Sequence, residues 1–333
     1  MAKQLFLSAS RCDTFSTCSQ LYAARYIYRL PDPGNDGSNR GSVTHEVLEL
    51  LLKPRHRKRY DNAIQQGSCE KVPALWKLIK RFAARYKVCD PANLKMINGF
   101  IMVALTNDFF GPKGTTKVEG EKEFSIVVDR PAEGIRYAIR GYIDATYFGQ
   151  DELGMWLSIK DIKTSKEKFS KDKMEYNMQT LMYQLALRHL YPEITRRSFH
   201  FCFVKFVKAP RVDADFVSDE ELSGFELILT AMQKAVESFT LANAADNLAM
   251  TKEDVKFLCG REGFKKDGTK AFLCSARNPL DYFVLLSADG DVIESAFKED
   301  DLKPKEGQIV VGRRYPGCPG YWNQTTGERI NFA

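Results

Sequence analysis

The chain has 333 residues, 44% of them apolar and 28% charged, with a net charge of +6. That length and apolar content suit one large domain or two with a real core, and exclude a minimal scaffold or a disordered tail. The longest apolar runs, such as FHFCFV, fall far short of a membrane span. The opening MAKQLFLSASR has too few apolar residues for a secretory signal. The eight cysteines are scattered through the chain, so reduced thiols in a cytoplasmic protein are expected, with no membrane partner.

In chain order, Ser10 and Asp13 resemble a helix-opening capping box. Phe15, Cys18, Leu21, Tyr22 and Tyr26 then follow at helical spacing. PDPGNDGSNRG reads as a loop, and SVTHEVLELLL resumes a helix with His45 and Glu49 one turn apart. Residues 56–110 read as helical and amphipathic. Residues 53–95 hold twelve Lys or Arg against Asp61, Glu70 and Asp90, with Trp76, Phe82 and Tyr86 interleaved. Such a segment suits a polyanion, and a solvated helix face fits the same charges.

Three strands are predicted next, EKEFSIVV, RYAIRGYIDATYF and GMWLSIKDIK, joined by turns as in an antiparallel meander. KMEYNMQTLMYQLALRHL predicts a helix with Met178, Leu181, Met182, Leu185 and Ala186 on its apolar stripe. SFHFCFVKF predicts a strand covered on both sides, parallel to its predecessor through a right-handed crossover. A further helix is expected around 219–243. Beyond about residue 250 the pattern becomes short-stranded, with a hairpin turning at Asp289-Gly290. The expected organisation is a first domain over 1–250, interrupted by a basic helical insertion at about 54–112, and a β-rich appendage over 251–333.

In LSIKDIKTSK, alternation puts Leu157, Ile159, Asp161 and Lys163 on one strand face, two charges on an otherwise apolar side. Asp144 lies near the end of the neighbouring strand, close enough in register for its carboxylate to meet Asp161. Two close carboxylates repel unless a cation separates them, and a divalent ion with oxygen ligands does so well. An isolated Asp-x-Lys also reads as an ion pair at a strand end.

Five segments together carry a family resemblance. LSIKDIKTSK looks like the D-x-K-T segment of RecB-like exonucleases in the PD-(D/E)XK superfamily. RGYIDAT resembles their G-x-I-D strand, GSVTHEVLE their G-x-x-x-H-x-x-L-E helix, and NMQTLMYQLAL their Q-x-x-x-Y helix. LSASRCDTFSTCSQLYAARY is similar to their opening segment, although Ser19 follows Cys18 where the family has proline. The matches run in family order over residues 7 to about 207.

The resemblance implies an α/β fold with a restriction-endonuclease-like αβββαβ core, and a Mg²⁺- or Mn²⁺-dependent DNA exonuclease. His45, Asp144, Asp161 and the Ile162 carbonyl would bind the metal, and Lys163 would assist the nucleophilic water. Gln179 and Tyr183 would position phosphates or the other site residues. Glu121 or Glu123 reads as an outer-shell carboxylate or as an ordinary exposed acid. Arg55, Arg57, Lys58, Arg59, Lys77, Lys80, Arg81, Arg85 and Lys166 are the candidate DNA contacts, with the insert's aromatics available for stacking. Thr164 and the lysines at 166, 168, 171 and 173 follow at the expected cleft edge.

Relatives such as the CRISPR-associated RecB-like and AddB nuclease domains carry an iron–sulfur cluster on one N-terminal and three C-terminal cysteines. Cys18, Cys259, Cys274 and Cys318 match the count. The C-terminal spacing lacks the expected Cys-x-x-Cys, so buried free thiols are the expectation. No nucleotide-binding G-x-x-x-x-G-K-[ST] loop is present, so a helicase or a single-strand annealing or recombination protein would be a partner. The expected setting is recombination, repair or phage DNA metabolism in the cytoplasm of a bacterial or phage-infected cell. A structure-specific or restriction-like endonuclease, or a non-catalytic DNA-binding protein on the same fold, remain alternatives.

Overall fold

The computed structural model describes residues 4–170, 174, 177–215, 217–264, 266 and 268–330. In chain order the helices are α1 (Ala9–Thr17), α2 (Ser19–Tyr22), α3 (Asp36–Leu52), α4 (Arg57–Gln66), α5 (Pro73–Arg85), α6 (Pro91–Leu105), α7 (Met178–Leu190) and α8 (Asp219–Glu237). The strands are β1 (Thr115–Arg130), β2 (Ile135–Asp151), β3 (Gly154–Lys163), β4 (Arg196–Phe203), β5 (Arg211–Asp213), β6 (Leu280–Leu286), β7 (Val292–Ala296) and β8 (Ile309–Tyr315). Residues 171–173, 175 and 176, which include the predicted start of the α7 helix and the lysines at 171 and 173, lie outside the described residues. Among the described residues, no helix is long and apolar enough to cross a membrane.

The chain divides into two compact units, one of residues 1–9 and 34–233, the other of 10–33 and 234–333. The expected single division near 250 differs from this because residues 10–33 pack with the C-terminal strands. Ala24 shares a buried cluster with Tyr282, Val284 and Tyr315. Gln20 Nε2 donates to the Tyr315 hydroxyl at 2.7 Å. The expected continuous opening helix is also broken, at Cys18, whose extended backbone separates α1 from α2.

The first unit is built on a five-stranded sheet in the order β1-β2-β3-β4-β5. β1, β2 and β3 form the predicted antiparallel meander, and β3 pairs in parallel with β4 after the α7 connection. Together with the helices on its faces this is the expected mixed α/β, restriction-endonuclease-like fold, and the small second sheet, β7-β6-β8, is the C-terminal β-rich piece. The short edge strand β5 had no counterpart in the sequence pattern; its three residues are too few to show a period.

Asn35 starts α3 with a capping box to Ser38, satisfying N–H groups that a helix start leaves orphaned. Val43, Val47, Leu48 and Leu51 then face α4–α6 in one buried cluster, together with Ile162, Cys202 and Val204 of the sheet. The helical insertion is therefore a packed layer over one sheet face. This corrects the expectation for its aromatic rings. Phe82 is buried in that core and is not available for stacking, while Trp76 and Tyr86 pack against the core and are half-buried. Their role in the amphipathic pattern is that of core anchors.

On that face His200 is buried, with Nδ1 lacking a partner among the described residues. Burial first, and then the Lys160 and Arg211 charges, push its pKa down to about 3, against the pull of Asp213. The folded chain therefore keeps this ring neutral while the unfolded chain protonates it below about 6.5. Because the unfolded state binds the extra proton, its contribution is harmless above pH 6.5 and erodes stability as pH falls toward 3. We expect His200→Gln to flatten that loss by up to about 1.4 kcal/mol per pH unit in denaturant titrations between pH 6 and 4. Parallel pH profiles for parent and variant would contradict the assignment.

Candidate active site

The antiparallel ladder between β2 and β3 ends at the Ala145–Lys160 pair, while β3 continues alongside β4 to the Lys163–Phe203 pair. Beyond the last β2 pair the strands part, and a backbone N–H that would face β2 needs another acceptor. The Asp144 side chain supplies it: its Oδ2 accepts from the Ile162 N–H at 2.7 Å. This contact brings the Asp144 carboxylate to Asp161 at the mouth of an open cleft of about 450 Å³.

The cleft is lined by His45, Asp144, Asp161, Ile162, Lys163, Gln179 and Tyr183, so the predicted metal and catalytic residues are brought together. Gly37, Ser38, Thr164 and Ser165 line it as well, and the sequence reading gave none of the first, second and last a role. Gly41 explains how α3 comes close enough to contribute His45. A Cβ at Gly41 would stand 2.8 Å from Thr164 Oγ1, so a larger residue would push the helix off the strand end.

His45 Nδ1 lies 3.2 Å from Asp144 Oδ1. Gln179 accepts from Lys163 Nζ at 2.7 Å, donates to Asp161 Oδ1 at 2.7 Å, and donates to the Tyr183 hydroxyl at 2.9 Å. The helical spacing of Gln179 and Tyr183 puts both on the α7 face that meets the sheet, where Tyr183 packs edge-on against Phe124 at 5.7 Å.

Burial raises the Asp161 carboxyl to about 6, with the Asp144 charge adding to it against Lys163. Burial works on Asp144 in the same direction, but His45, the Ile162 N–H and Lys163 outweigh it and hold Asp144 below its ordinary value. His45 in turn is raised: burial opposes its protonation, and Asp144 and Asp161 overcome that. Partial burial raises the Glu121 carboxyl, with a hydrogen bond to Glu49 and the Glu49 and Asp144 charges adding to it against Lys53. Glu123 is exposed and accepts from Tyr142 at 3.1 Å, away from the cleft lining.

The donor set suits a hard divalent cation. Asp161 Oδ2 is buried without an aligned hydrogen bond, although Lys163 Nζ lies 2.7 Å away. The ion pair leaves this oxygen under-coordinated, because a lone ammonium contact leaves a carboxylate lone pair unmet. As the side chains stand, no group of three His, Cys, Asp or Glu among the described residues is arranged to hold an ion. His45 and Asp144 bond each other, and a cation would replace that bond.

The cationic candidates on the insertion divide into two groups. Arg55, Lys58, Lys77, Lys80 and Arg81 are exposed, as is Lys166 just beyond β3. Arg57 pairs with Asp61 at 3.2 Å, Arg55 Nε donates to His56 Nε2 at 3.2 Å, Arg59 reaches the same ring, and Arg85 pairs with Glu46. Exposed pairs of this kind are worth little and can be exchanged for phosphate contacts.

In the second unit Cys18, Cys259, Cys274 and Cys318 line one small, almost wholly apolar pocket. Burial pushes the Cys318 thiol up to about 12, and the other three thiols add to the shift, which reports how near they are. All four are free thiols. The space between them is about 20 Å³, room for a single water, so the thiols would part to admit anything larger.

If the cleft binds a divalent cation, Mn²⁺ will raise the melting temperature of the parent by mass action. Asp161→Asn and Asp144→Asn should lose that rise, and a rise kept in both variants would place the cation elsewhere.

A comparison with curated proteins finds no match. A family model of the PD-(D/E)XK nuclease superfamily matches residues 6–261. That span takes in most of the chain and every residue of the cleft, on the fold the family model requires, and the chain belongs to the PD-(D/E)XK nuclease superfamily.

Proposed function

We propose that this nuclease is a divalent-metal-dependent DNA exonuclease of the RecB type, acting in recombination, repair or phage DNA metabolism. The observation behind the reading is the convergence of His45, Asp144, Asp161, Lys163, Gln179 and Tyr183 on one cleft where two strands part. Asp144, Asp161, His45 and the Ile162 carbonyl would hold Mg²⁺ or Mn²⁺, which would supply polarisation of the scissile phosphate and activation of water. Lys163, fixed between Asp161 and Gln179, orients the attacking water and balances the charge that grows on the phosphate. Gln179 is a positioning residue, since it holds Lys163 and Asp161 at once, and Tyr183 anchors it from behind. The exposed cations Arg55, Lys58, Lys77, Lys80, Arg81 and Lys166 suit the phosphate backbone, with Arg57, Arg59 and Arg85 joining on exchange of their partners. Unwinding of duplex DNA belongs to a helicase partner, or the products go to a single-strand annealing protein.

The test is digestion of end-labelled linear DNA beside covalently closed circles, with Mg²⁺ or with chelator. An exonuclease degrades the linear form and leaves the circles intact, and chelator stops it. Cut circles would favour the endonuclease alternative, and no cutting of either would leave a DNA-binding protein on a nuclease fold.

We also propose that Cys18, Cys259, Cys274 and Cys318 ligate an iron–sulfur cluster. The support is their meeting in one pocket, since four free thiols in apolar surroundings match the donors such a cluster takes. Protein purified without oxygen should be brown and contain iron with acid-labile sulfide, and Cys274→Ser should lose both. Stoichiometric zinc in place of iron would contradict the assignment.

A further inference from the structure

The segment between two of these cysteines has a character of its own. Cys274 N–H donates to the Cys259 carbonyl at 3.2 Å, Arg261 N–H to Phe272 at 2.9 Å, and Ala271 N–H to Gly263 at 2.9 Å. These bonds close a narrow finger, with bridges at Gly260–Leu273 and Phe264–Lys270. At its root Gly260 has φ +68°, and a Cβ there would stand 2.1 Å from the Phe272 carbonyl oxygen, so only glycine lets the two sides meet. Arg277 also donates to the Gly260 carbonyl at 3.1 Å, tying the root to the chain after Cys274.

The finger exposes what a fold normally hides. On the finger Phe264 and Phe272 are 71% and 61% exposed, and Phe257, in the short turn that leads into it, is 68% exposed, more than any other exposed aromatic ring among the described residues. Lys270 is bridged to Phe264 and lies two residues before Phe272, so alternation sets Phe264, Lys270 and Phe272 on one face. Ala271 between them is buried, as that alternation requires. Arg261 and Lys266 are exposed as well, and neither they nor Lys270 has a carboxylate within ion-pair distance among the described residues. Glu262 is engaged by Arg329 at 3.1 Å, which removes it as a competing acid.

Solvent-facing rings beside cations that have no acid partner among the described residues match the chemistry of unstacked bases on a phosphate chain. A protein partner would cover the rings but would leave the cations without acids unless it carried its own. We infer that the finger binds single-stranded nucleic acid, with Phe264 and Phe272 stacking bases and Arg261, Lys266 and Lys270 meeting phosphates. This rests on the nuclease reading, which makes nucleic acid the substrate, and adds a second contact surface to it. Paired bases are not free to stack on protein rings, so the finger favours single strands over duplex.

The experiment uses the full chain in chelator, so that nothing is cut, with a fluorescent oligo-dT strand and a duplex of equal length, followed by anisotropy. Phe264→Ala/Phe272→Ala should weaken the single strand by about tenfold or more per ring, and the duplex far less. Phe264→Trp/Phe272→Trp, which keeps flat surfaces, should bind within about threefold of the parent, since any aromatic face can stack a base. Melting temperatures equal to the parent's would show that the loss is not unfolding. Alanine variants that bind the strand as tightly as the parent would assign the rings to a protein partner and overturn the inference. That failure is separable from failure of the nuclease reading, which would appear as a parent that binds the strand through these rings but cuts no DNA when Mg²⁺ is supplied.

Discussion

Two carboxylates held together at a strand opening set the terms for the rest of the first unit. Asp144 substitutes for a backbone acceptor at the place where β2 leaves β3, and so cannot move away from Asp161 without orphaning the Ile162 N–H. Asp161 is nearly buried and its second oxygen is under-coordinated. Like charges that face one cleft, one of them buried, are costly unless positive charge arrives from elsewhere. His45 comes from α3, Lys163 from the same strand, and Gln179 from α7, so every layer packed on the sheet sends one group to the same point.

The supporting elements follow from that demand. α3 must run close to the end of β3, and Gly41 beside Thr164 makes the approach feasible. The helical insertion, expected to be basic and amphipathic, also holds α3 in place, through a buried cluster that contains Val47, Leu48 and Leu51 of α3 together with Ile162 and Val204. α7 is held by Tyr183 against Phe124, which keeps the Gln179 amide in reach of Lys163 and Asp161 together. A site assembled from a strand pair and two helices is better ordered than one carried on loops, which suits chemistry that depends on charge placement.

Much of this was legible because short-range periodicities carry it. The two-residue alternation put Asp161 and Lys163 on one face, the meander put Asp144 next to them, and a four-residue step joined Gln179 to Tyr183. What escaped the sequence depended on longer-range packing. Aromatic rings on an amphipathic helix look the same whether they face solvent or core, so the sequence pattern does not show that Phe82 is buried. The spacing of Cys259, Cys274 and Cys318 matched no compact motif, because a finger of chain returns Cys274 to Cys259 and a turn brings Cys318 N–H to the Arg277 carbonyl at 3.0 Å. The break at Cys18 was equally hidden, since its neighbours keep helical spacing on both sides. The grouping of residues 10–33 with the C-terminal strands rests on contacts such as Gln20 with Tyr315, which no local pattern encodes.

We propose that the Asp144–Asp161 cleft is where this chain hydrolyses phosphodiesters. The most direct measurement is the single-turnover cleavage rate of pre-bound, end-labelled linear DNA at saturating Mg²⁺ for the parent and for Asp161→Ala. The account predicts that the variant binds DNA about as well as the parent and cuts it at least about a thousandfold more slowly, the scale on which removal of central charge-stabilising groups acts. Cleavage by Asp161→Ala at the parent's rate would contradict it.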